Sequence, residues 1–175
     1  MYNIVGDKMK ALLVIDIQND YFWEKRKKKF NYPKELISNI NETIDKYKKD
    51  SDIIYISHFI HNIITNRLLF GFSIEGTEGA ELYKELNVVS NLKFKKYLGD
   101  AFTSREFKEY MNSKKYDEVF ICGIDQCGCV YHTALGAIRN NFKVSIITNA
   151  TGCRYNLNKL NNKKNKLVKA GVRFI

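Results

Sequence analysis

Three residues with side chains suited to acid–base and nucleophilic chemistry lie just after predicted β-strands. Asp16 ends the first apolar run, Lys96 follows the third predicted strand, and Cys129 begins a predicted helix after the fourth. A carboxylate at the end of an apolar strand is costly unless it is paired or functional. A cation beside a carboxylate and a thiol keeps the carboxylate ionised and can lower the pKa of the thiol. The combination predicts a nucleophilic thiol with a neighbouring base.

Cys129 is the best placed of the four cysteines for catalysis. A helix N-terminus stabilises a thiolate, and the N–H groups around Gly128 and Cys129 can face a developing oxyanion. Position alone is equally consistent with a small buried core thiol at Cys129, and with a helix cap or a structural ion pair at Asp16. The rival carboxylate, Asp20, is expected to hold its loop, and Cys122 is expected to be a core thiol.

Cys127 and Cys129 form a Cys-x-Cys pair that could be redox-active or bind a metal. A closed zinc site needs four ligands, and no second pair is spaced to supply them. Free thiols are expected, because no signal peptide is visible and the chain is long enough to bury a core. A redox or metal-binding thiol protein nevertheless stays an alternative.

The elements that would position these residues alternate between short apolar runs and helical patterns, which is typical of a parallel sheet covered by helices. We predict strands at residues 11–17, 53–57, 88–94, 119–123, 143–148 and 172–175. We predict helices at residues 33–48, 79–86, 103–112, 129–140 and 157–169. Thr103 and Glu106 are expected to form a capping box at the start of the third of these helices. Residues 60–77 are predicted to be irregular and to form either a lid or an interface element. The pattern indicates a single three-layer, Rossmann-like α/β domain over residues 1–175. In such sheets, ligands bind beyond the carboxyl ends of the strands, where the strand order reverses.

Four sequence blocks occur in an order and spacing that match a known family. They are residues 15–21 (IDIQNDY), 76–82 (GTEGAEL), 96–102 (KYLGDAF) and 123–134 (GIDQCGCVYHTA). In these blocks the chain resembles the isochorismatase-like cysteine hydrolases, which include nicotinamidases and carbamoyl amidases. The resemblance runs over nearly the whole chain.

The resemblance implies a six-stranded parallel sheet of order 3-2-1-4-5-6, in which Asp16 and Cys129 meet at the switch between strands one and four. It implies Asp16, Lys96 and Cys129 as catalytic residues, and an oxyanion hole made by the backbone N–H groups of Asp125 and Cys129. It also implies a cis peptide bond between Ile124 and Asp125, and a homodimer or homotetramer. Because the cysteine is retained, the expected reaction is hydrolysis of a small amide or carbamoyl compound through a thioester.

The chain departs from the family pattern at several positions. Gln126 stands where Thr is frequent, and Cys127 and Asn149 stand where Asp is frequent. Metal-bearing nicotinamidases carry an Asp-x-His motif after the second strand, and here the aspartate is missing from the segment that contains His58 and His61. We therefore expect no metal and no cofactor, and a structural role for His132. Candidates for substrate binding, chosen by their proximity to the blocks, are Phe22, Trp23, His58, Tyr97, Phe102 and Tyr131.

Composition places few further limits on function. The net charge of +10 favours binding of anions, including nucleic acid. The lysines are spread along the chain, so we do not expect nucleic-acid binding, although a basic binding module stays an alternative. No apolar run is long enough to span a membrane. We expect a cytoplasmic protein with a small-molecule substrate.

Overall fold

The computed structural model describes residues 9–26 and 29–175, and its centre is a parallel β-sheet. Six strands in the described residues form one sheet of order β3-β2-β1-β4-β5-β6, with every neighbouring pair parallel. The strands are β1 (Met9–Ile15), β2 (Ser51–His58), β3 (Lys93–Lys96), β4 (Tyr116–Gly123), β5 (Lys143–Thr151) and β6 (Arg173–Phe174). This order confirms the predicted α/β fold class and places the reversal of strand order between β1 and β4.

Helices cover both faces of the sheet and complete three layers. The α-helices are α1 (Asn19–Phe22), α2 (Leu36–Tyr47), α3 (Ile64–Leu69), α4 (Arg105–Ser113), α5 (Cys129–Arg139) and α6 (Leu157–Lys169). Helix α2 packs on one face with Leu12 and Val14, and helices α4 to α6 pack on the other with Leu13 and Ile15. Successive residues of β1 thus enter opposite cores, which is why the strand is a continuous apolar run. Within the described residues, no helix has the length and apolar character needed to cross a membrane.

The third strand and its surroundings differ from the sequence-based prediction. The strand is β3 at Lys93–Lys96 and not residues 88–94, because Val88 and Val89 are exposed in the preceding loop. The helix predicted at residues 79–86 is only a 3-10 turn at Glu78–Ala80. The capping box is also wrong: Ser104 is the N-cap of α4, and the Thr103 hydroxyl donates to the backbone oxygen of Asp100.

The segment predicted to be irregular, residues 60–77, contains the short helix α3, whose apolar side chains are exposed. Leu68 is 82% exposed and Ile64 is 76% exposed. The Ser73 backbone N–H donates to Asp20 at 2.8 Å, which ties the end of this segment to the loop after β1. Asp20 therefore holds its loop, as expected.

A close approach of β1 and β4 brings the residues that follow them together. Ile15 is paired with Gly123, which has φ +111°. A Cβ at Gly123 would overlap the backbone oxygen of Ile15, so only glycine fits this position. Asp16 and Cys129 consequently lie at the same edge of the sheet, at the switch point.

Candidate active site

Asp16 and Lys96 form a buried ion pair at the carboxyl end of the sheet. Lys96 Nζ donates to Asp16 Oδ2 at 2.9 Å, and the two residues are 0% and 2% exposed. Because β2 lies between β1 and β3, the Lys96 side chain reaches past the end of β2 to meet Asp16. Asp16 also has φ +56°, an uncommon conformation for a residue other than glycine. Buried charge and backbone strain at one residue are typical of a functional position.

The charges at this pair are stabilised by each other. Burial alone would lower the pKa of Lys96, but the neighbouring Asp16 carboxylate and the Cys129 thiol raise it overall, so the ammonium stays protonated. Oδ2 of Asp16 accepts from Lys96, whereas Oδ1 is buried and has no hydrogen-bond partner in residues 9–26 and 29–175. An unused carboxylate oxygen costs stability, and it is available to accept a proton or a substrate N–H.

Cys129 is the first residue of α5, and its thiol interacts with both charges. Burial raises the pKa of the Cys129 thiol to about 12, with a further upward contribution from Asp16, while Lys96 acts in the opposite direction. A lowered pKa was expected from the helix N-terminus and the lysine, but burial raises the pKa by more than Lys96 lowers it. The resting thiol is therefore protonated at neutral pH, and it needs a base to become a nucleophile.

The loop between β4 and α5 leaves two backbone N–H groups without an acceptor. The N–H groups of Gln126 and Gly128 donate to Gly152 and Asp125. In the part of the chain that the structure describes, those of Asp125 and Cys129 have no protein partner. The Ile124–Asp125 peptide bond is cis, as the resemblance implied. These are the two N–H groups that the resemblance assigns to an oxyanion hole, and that role stays a prediction.

A cavity of about 200 Å³ opens onto these groups. It is lined by Asp16, Tyr21, Phe30, Tyr32, His58, Phe72, Ile124, Asp125, Gly128, Cys129, Arg154 and Tyr155. The cavity therefore combines an aromatic wall with the carboxylate and the thiol, while Lys96 lies fully buried behind Asp16. The larger cavities of about 480 and 610 Å³ contain none of the three predicted catalytic residues. The smaller cavity is the candidate site because Asp16 and Cys129 line it, although other cavities are larger.

The model of the isochorismatase domain matches residues 10–170 of the sequence. The chain belongs to the isochorismatase family. A protein of Arabidopsis thaliana described as a probable inactive nicotinamidase is 26% identical over 157 residues, which are 81% of this chain and 79% of that protein.

Solved structures of this family share the fold. A pyrazinamidase of Pyrococcus horikoshii in complex with zinc has a TM-score of 0.81 at 22% identity, and the match covers 95% of this chain and 98% of that one. An N-carbamoylsarcosine amidase of Thermoplasma acidophilum has a TM-score of 0.75 at 19% identity, and 95% of each chain is covered. At these identities the likeness shows the fold alone.

Of the six residues that the sequence analysis gave as substrate-binding candidates, His58 lines the cavity. The lining does not include the other five, Phe22, Trp23, Tyr97, Phe102 and Tyr131. Phe102 is 7% exposed and packs against Phe107 in the core, and Tyr97 is 41% exposed with its hydroxyl near Glu75. Proximity in sequence to a motif did not place these rings in the cavity.

Sequence reasoning missed most of the aromatic wall. Tyr21 lies within the aspartate block, so its position in the motif was a usable signal. Phe30, Tyr32 and Phe72 come from loops between the blocks and carry no local signal, because only the tertiary fold brings them to the cavity. Arg154 is likewise unmarked in sequence; its guanidinium lies 5.2 Å over the Phe30 ring.

His58 is the last residue of β2, His61 follows the strand, and each makes contacts within the protein. The His58 backbone N–H donates to Gln18 Oε1 at 3.0 Å, and burial together with Lys96 lowers the pKa of its imidazole. His61 stacks on Tyr97 with the ring centroids 4.4 Å apart. Within residues 9–26 and 29–175, neither histidine belongs to a group of three potential metal ligands.

The cysteines are arranged differently from the predicted Cys-x-Cys pair. All four are free, and Cys122 is fully buried in the sheet, as expected. Cys129 faces Asp16 and Lys96, whereas Cys127 Sγ lies 3.4 Å from Cys153 Sγ. The close pair in this protein is therefore Cys127 and Cys153, which lie far apart in the sequence.

Proposed function

We propose that this chain is a cysteine-dependent hydrolase that cleaves the C–N bond of a small amide or carbamoyl compound through a thioester on Cys129. The observation that carries the proposal is the buried Lys96–Asp16 pair, whose carboxylate interacts with the Cys129 thiol beside a small aromatic cavity. A base, a cation, a nucleophile and two free N–H donors meet there, as acyl transfer requires.

The first half-reaction follows from the charges at the site. The Cys129 thiol is neutral, so Asp16 acts as general base and takes its proton as the sulfur attacks the carbonyl carbon. Lys96 stays charged and stabilises the thiolate as it forms. The carbonyl oxygen gains negative charge and is bound by the free N–H groups of Asp125 and Cys129.

The second half-reaction reuses the same groups. Asp16 passes the proton to the leaving nitrogen, so ammonia or an amine departs and the acyl group remains on Cys129 as a thioester. A water molecule then loses a proton to Asp16 and attacks the thioester carbonyl carbon. The carboxylic acid product leaves, and the proton returns to the sulfur. The cycle consumes one water and needs no cofactor.

The cavity limits the substrate to a small molecule. Its volume of about 200 Å³ lies below the range of about 300–1,000 Å³ that drug-sized ligands occupy. The rings of Tyr21, Phe30, Tyr32 and Phe72 suit a flat or compact apolar body. The activities in the names of the Pyrococcus and Thermoplasma proteins support an amide or a carbamoyl group as the reacting part. Because the thiol must stay reduced, a reducing compartment such as the cytoplasm suits this chemistry.

The test is a hydrolysis assay with nicotinamide, pyrazinamide and N-carbamoylsarcosine, combined with intact-protein mass spectrometry. Cys129→Ala is expected to lower kcat at least about 10³-fold, since it removes the nucleophile. Cys122→Ala removes a buried thiol outside the cavity and is the matched control, with activity retained.

A mass increase equal to the acyl group, on Cys129 and absent from Cys129→Ala, is the expected signature of the thioester. Full activity in Cys129→Ala would exclude this mechanism. A folded wild type that hydrolyses none of the three compounds and forms no acyl adduct would instead place the chain with its relative described as inactive.

A further inference from the structure

A second cluster of reactive side chains lies where the loop after β4 meets the loop after β5. The ligand atoms of Asp125, Cys127 and Cys153 all lie within 4.8 Å of one another, and the two sulfurs are 3.4 Å apart. Asp125 and Cys127 come from the loop after β4, and Cys153 comes from the loop after β5. The proposed catalytic chemistry uses the backbone N–H of Asp125 but neither of these thiols.

Backbone hydrogen bonds fix the two loops relative to each other. The Gln126 N–H donates to the Gly152 oxygen, and the Gly152 N–H donates to the Gly123 oxygen, both at 2.9 Å. The carboxylate of Asp125 accepts from the N–H groups of Cys127 and Arg154 at 2.7 and 2.9 Å. The cluster is therefore organised by the fold and not by chance contact of flexible side chains.

The spacing of the sulfurs suits a metal ion better than a covalent S–S bond. Two thiolates bound to tetrahedral zinc at about 2.3 Å lie about 3.8 Å apart, so the sulfurs need to separate by only about 0.4 Å. A disulfide at about 2.05 Å would require them to approach by about 1.4 Å. Oδ2 of Asp125 already accepts from the Arg154 N–H and the Tyr32 hydroxyl, whereas Oδ1 accepts from the Cys127 N–H and keeps a lone pair for a metal bond.

We propose that Asp125, Cys127 and Cys153 bind one thiophilic divalent cation of the zinc type. Three protein ligands leave a fourth position, which a water molecule can fill. Binding releases the two thiol protons, so affinity rises with pH. Cys153 is half-buried, which gives the ion a route from solvent.

The proposed site is separate from the Cys129 thiol and from His58 and His61. Cys129 faces Asp16 and Lys96, and the ligand cluster includes neither His58 nor His61. The ion would join the two loops that carry Asp125 and Arg154 along one wall of the cavity. Its expected effect is to fix the Asp125 backbone N–H, and the site itself does not depend on the hydrolase proposal.

The experiment titrates the reduced, chelator-treated full chain with Co²⁺, followed by displacement with Zn²⁺. Thiolate ligands give Co²⁺ a near-ultraviolet charge-transfer band, which is expected to saturate at one ion per chain and to disappear as Zn²⁺ is added. Cys127→Ser and Cys153→Ser are each expected to weaken Zn²⁺ binding more than about 100-fold, since even outer-shell changes at metal sites cost 10–100-fold. Cys129→Ser is the matched control and is expected to keep the band. Zn²⁺ should also raise the Tm of the wild type but not of Cys153→Ser.

Two outcomes would overturn the inference. One is a correctly folded wild type, shown by circular dichroism, that gives no charge-transfer band. The other is a band that Cys129→Ser abolishes and Cys153→Ser retains. Cys153→Ser carries the test if Cys127→Ser fails to fold, because Cys153 is the more exposed of the pair. A Cys127–Cys153 disulfide formed with oxidised glutathione, in a protein that binds no Zn²⁺ when reduced, would assign the pair to redox chemistry instead.

Discussion

Lys96→Met removes the only charge that pairs with the Asp16 carboxylate in the described residues. Methionine keeps an unbranched side chain of similar length but is apolar. The two side chains are 0% and 3% exposed, and the ion pair measures 2.9 Å. Removing one partner of a buried pair leaves an uncompensated charge and costs about 3–5 kcal/mol. This is a large part of the about 5–15 kcal/mol that stabilises a typical domain. We expect Lys96→Met to fold only marginally at neutral pH.

The loss of stability should depend on pH with a definite sign. Without the ammonium, burial favours the protonated form of the Asp16 side chain, so the folded variant binds more protons than the unfolded chain. Stability then falls as pH rises. The free energy of unfolding, measured by urea denaturation at pH 5 and pH 8, should show a larger deficit relative to wild type at pH 8.

A matched control is available on the same strand. Lys95 is the adjacent residue, its side chain is 57% exposed, and its Nζ lies 2.7 Å from Glu75 at the surface. Lys95→Met should change stability by less than about 1 kcal/mol, because exposed ion pairs contribute little. The double variant Asp16→Asn/Lys96→Met leaves no buried charge and should recover most of the loss. A deficit below about 1 kcal/mol, or one that is equal at both pH values, would refute the electrostatic reasoning.

Three further predictions address the thiol, the sheet and the cavity. Because burial raises the pKa of Cys129 to about 12, its iodoacetamide labelling, followed by peptide mass spectrometry, should be slow at pH 7 and rise about tenfold per pH unit through pH 10; a plateau below pH 8 would show a preformed thiolate instead. Gly123→Ala should lower the free energy of unfolding, measured by thermal denaturation, by about 3 kcal/mol or more, because the added Cβ overlaps the backbone of β1. Gly171→Ala is the control: Gly171 also has a positive φ but no atom within 4 Å of an added Cβ, so the loss should be about 1 kcal/mol. Arg154→Gln should raise KM by up to about tenfold with little change in kcat, because Arg154 lines the cavity and has no role in the proposed proton transfers; an equal loss in kcat would place it in the transition state.

The sheet was largely predictable from sequence because its central strands bury both faces. The continuous apolar runs of β1 and β4 predict strands that are buried on both faces, and the turn residues after them mark the carboxyl edge of the sheet. The edge strand β3 was misplaced for a physical reason. Its sequence is Lys-Phe-Lys-Lys, and Lys96 is buried although it is charged, because its ammonium pairs with Asp16. Hydropathy alone therefore favoured Val88 and Val89, which are exposed.

The candidate site divides in the same way between local and tertiary information. Asp16 directly follows β1, Lys96 is the last residue of β3, and Cys129 begins the helix after β4, so their convergence follows from topology once the strand order is known. The partner of Cys127 could not be found from spacing. The turn into α5 directs Cys129 toward Asp16 and Cys127 toward the loop after β5, and 26 residues separate Cys127 from Cys153. Sequence adjacency suggested a pair that the helix geometry separates.

Burial determines how this site has to work. The same desolvation that makes the buried Lys96–Asp16 pair costly also keeps the Cys129 thiol protonated at neutral pH. In the proposed mechanism, the reaction begins only when a bound carbonyl oxygen takes up the developing negative charge beside the free N–H groups of Asp125 and Cys129. A thiol in this state is protected from alkylation and oxidation between turnovers, since the thiolate is the reactive form. If Asp16 is the proposed base, its positive φ and its unpaired carboxylate oxygen destabilise the fold at the site, and the surrounding sheet supplies the stability that offsets this loss.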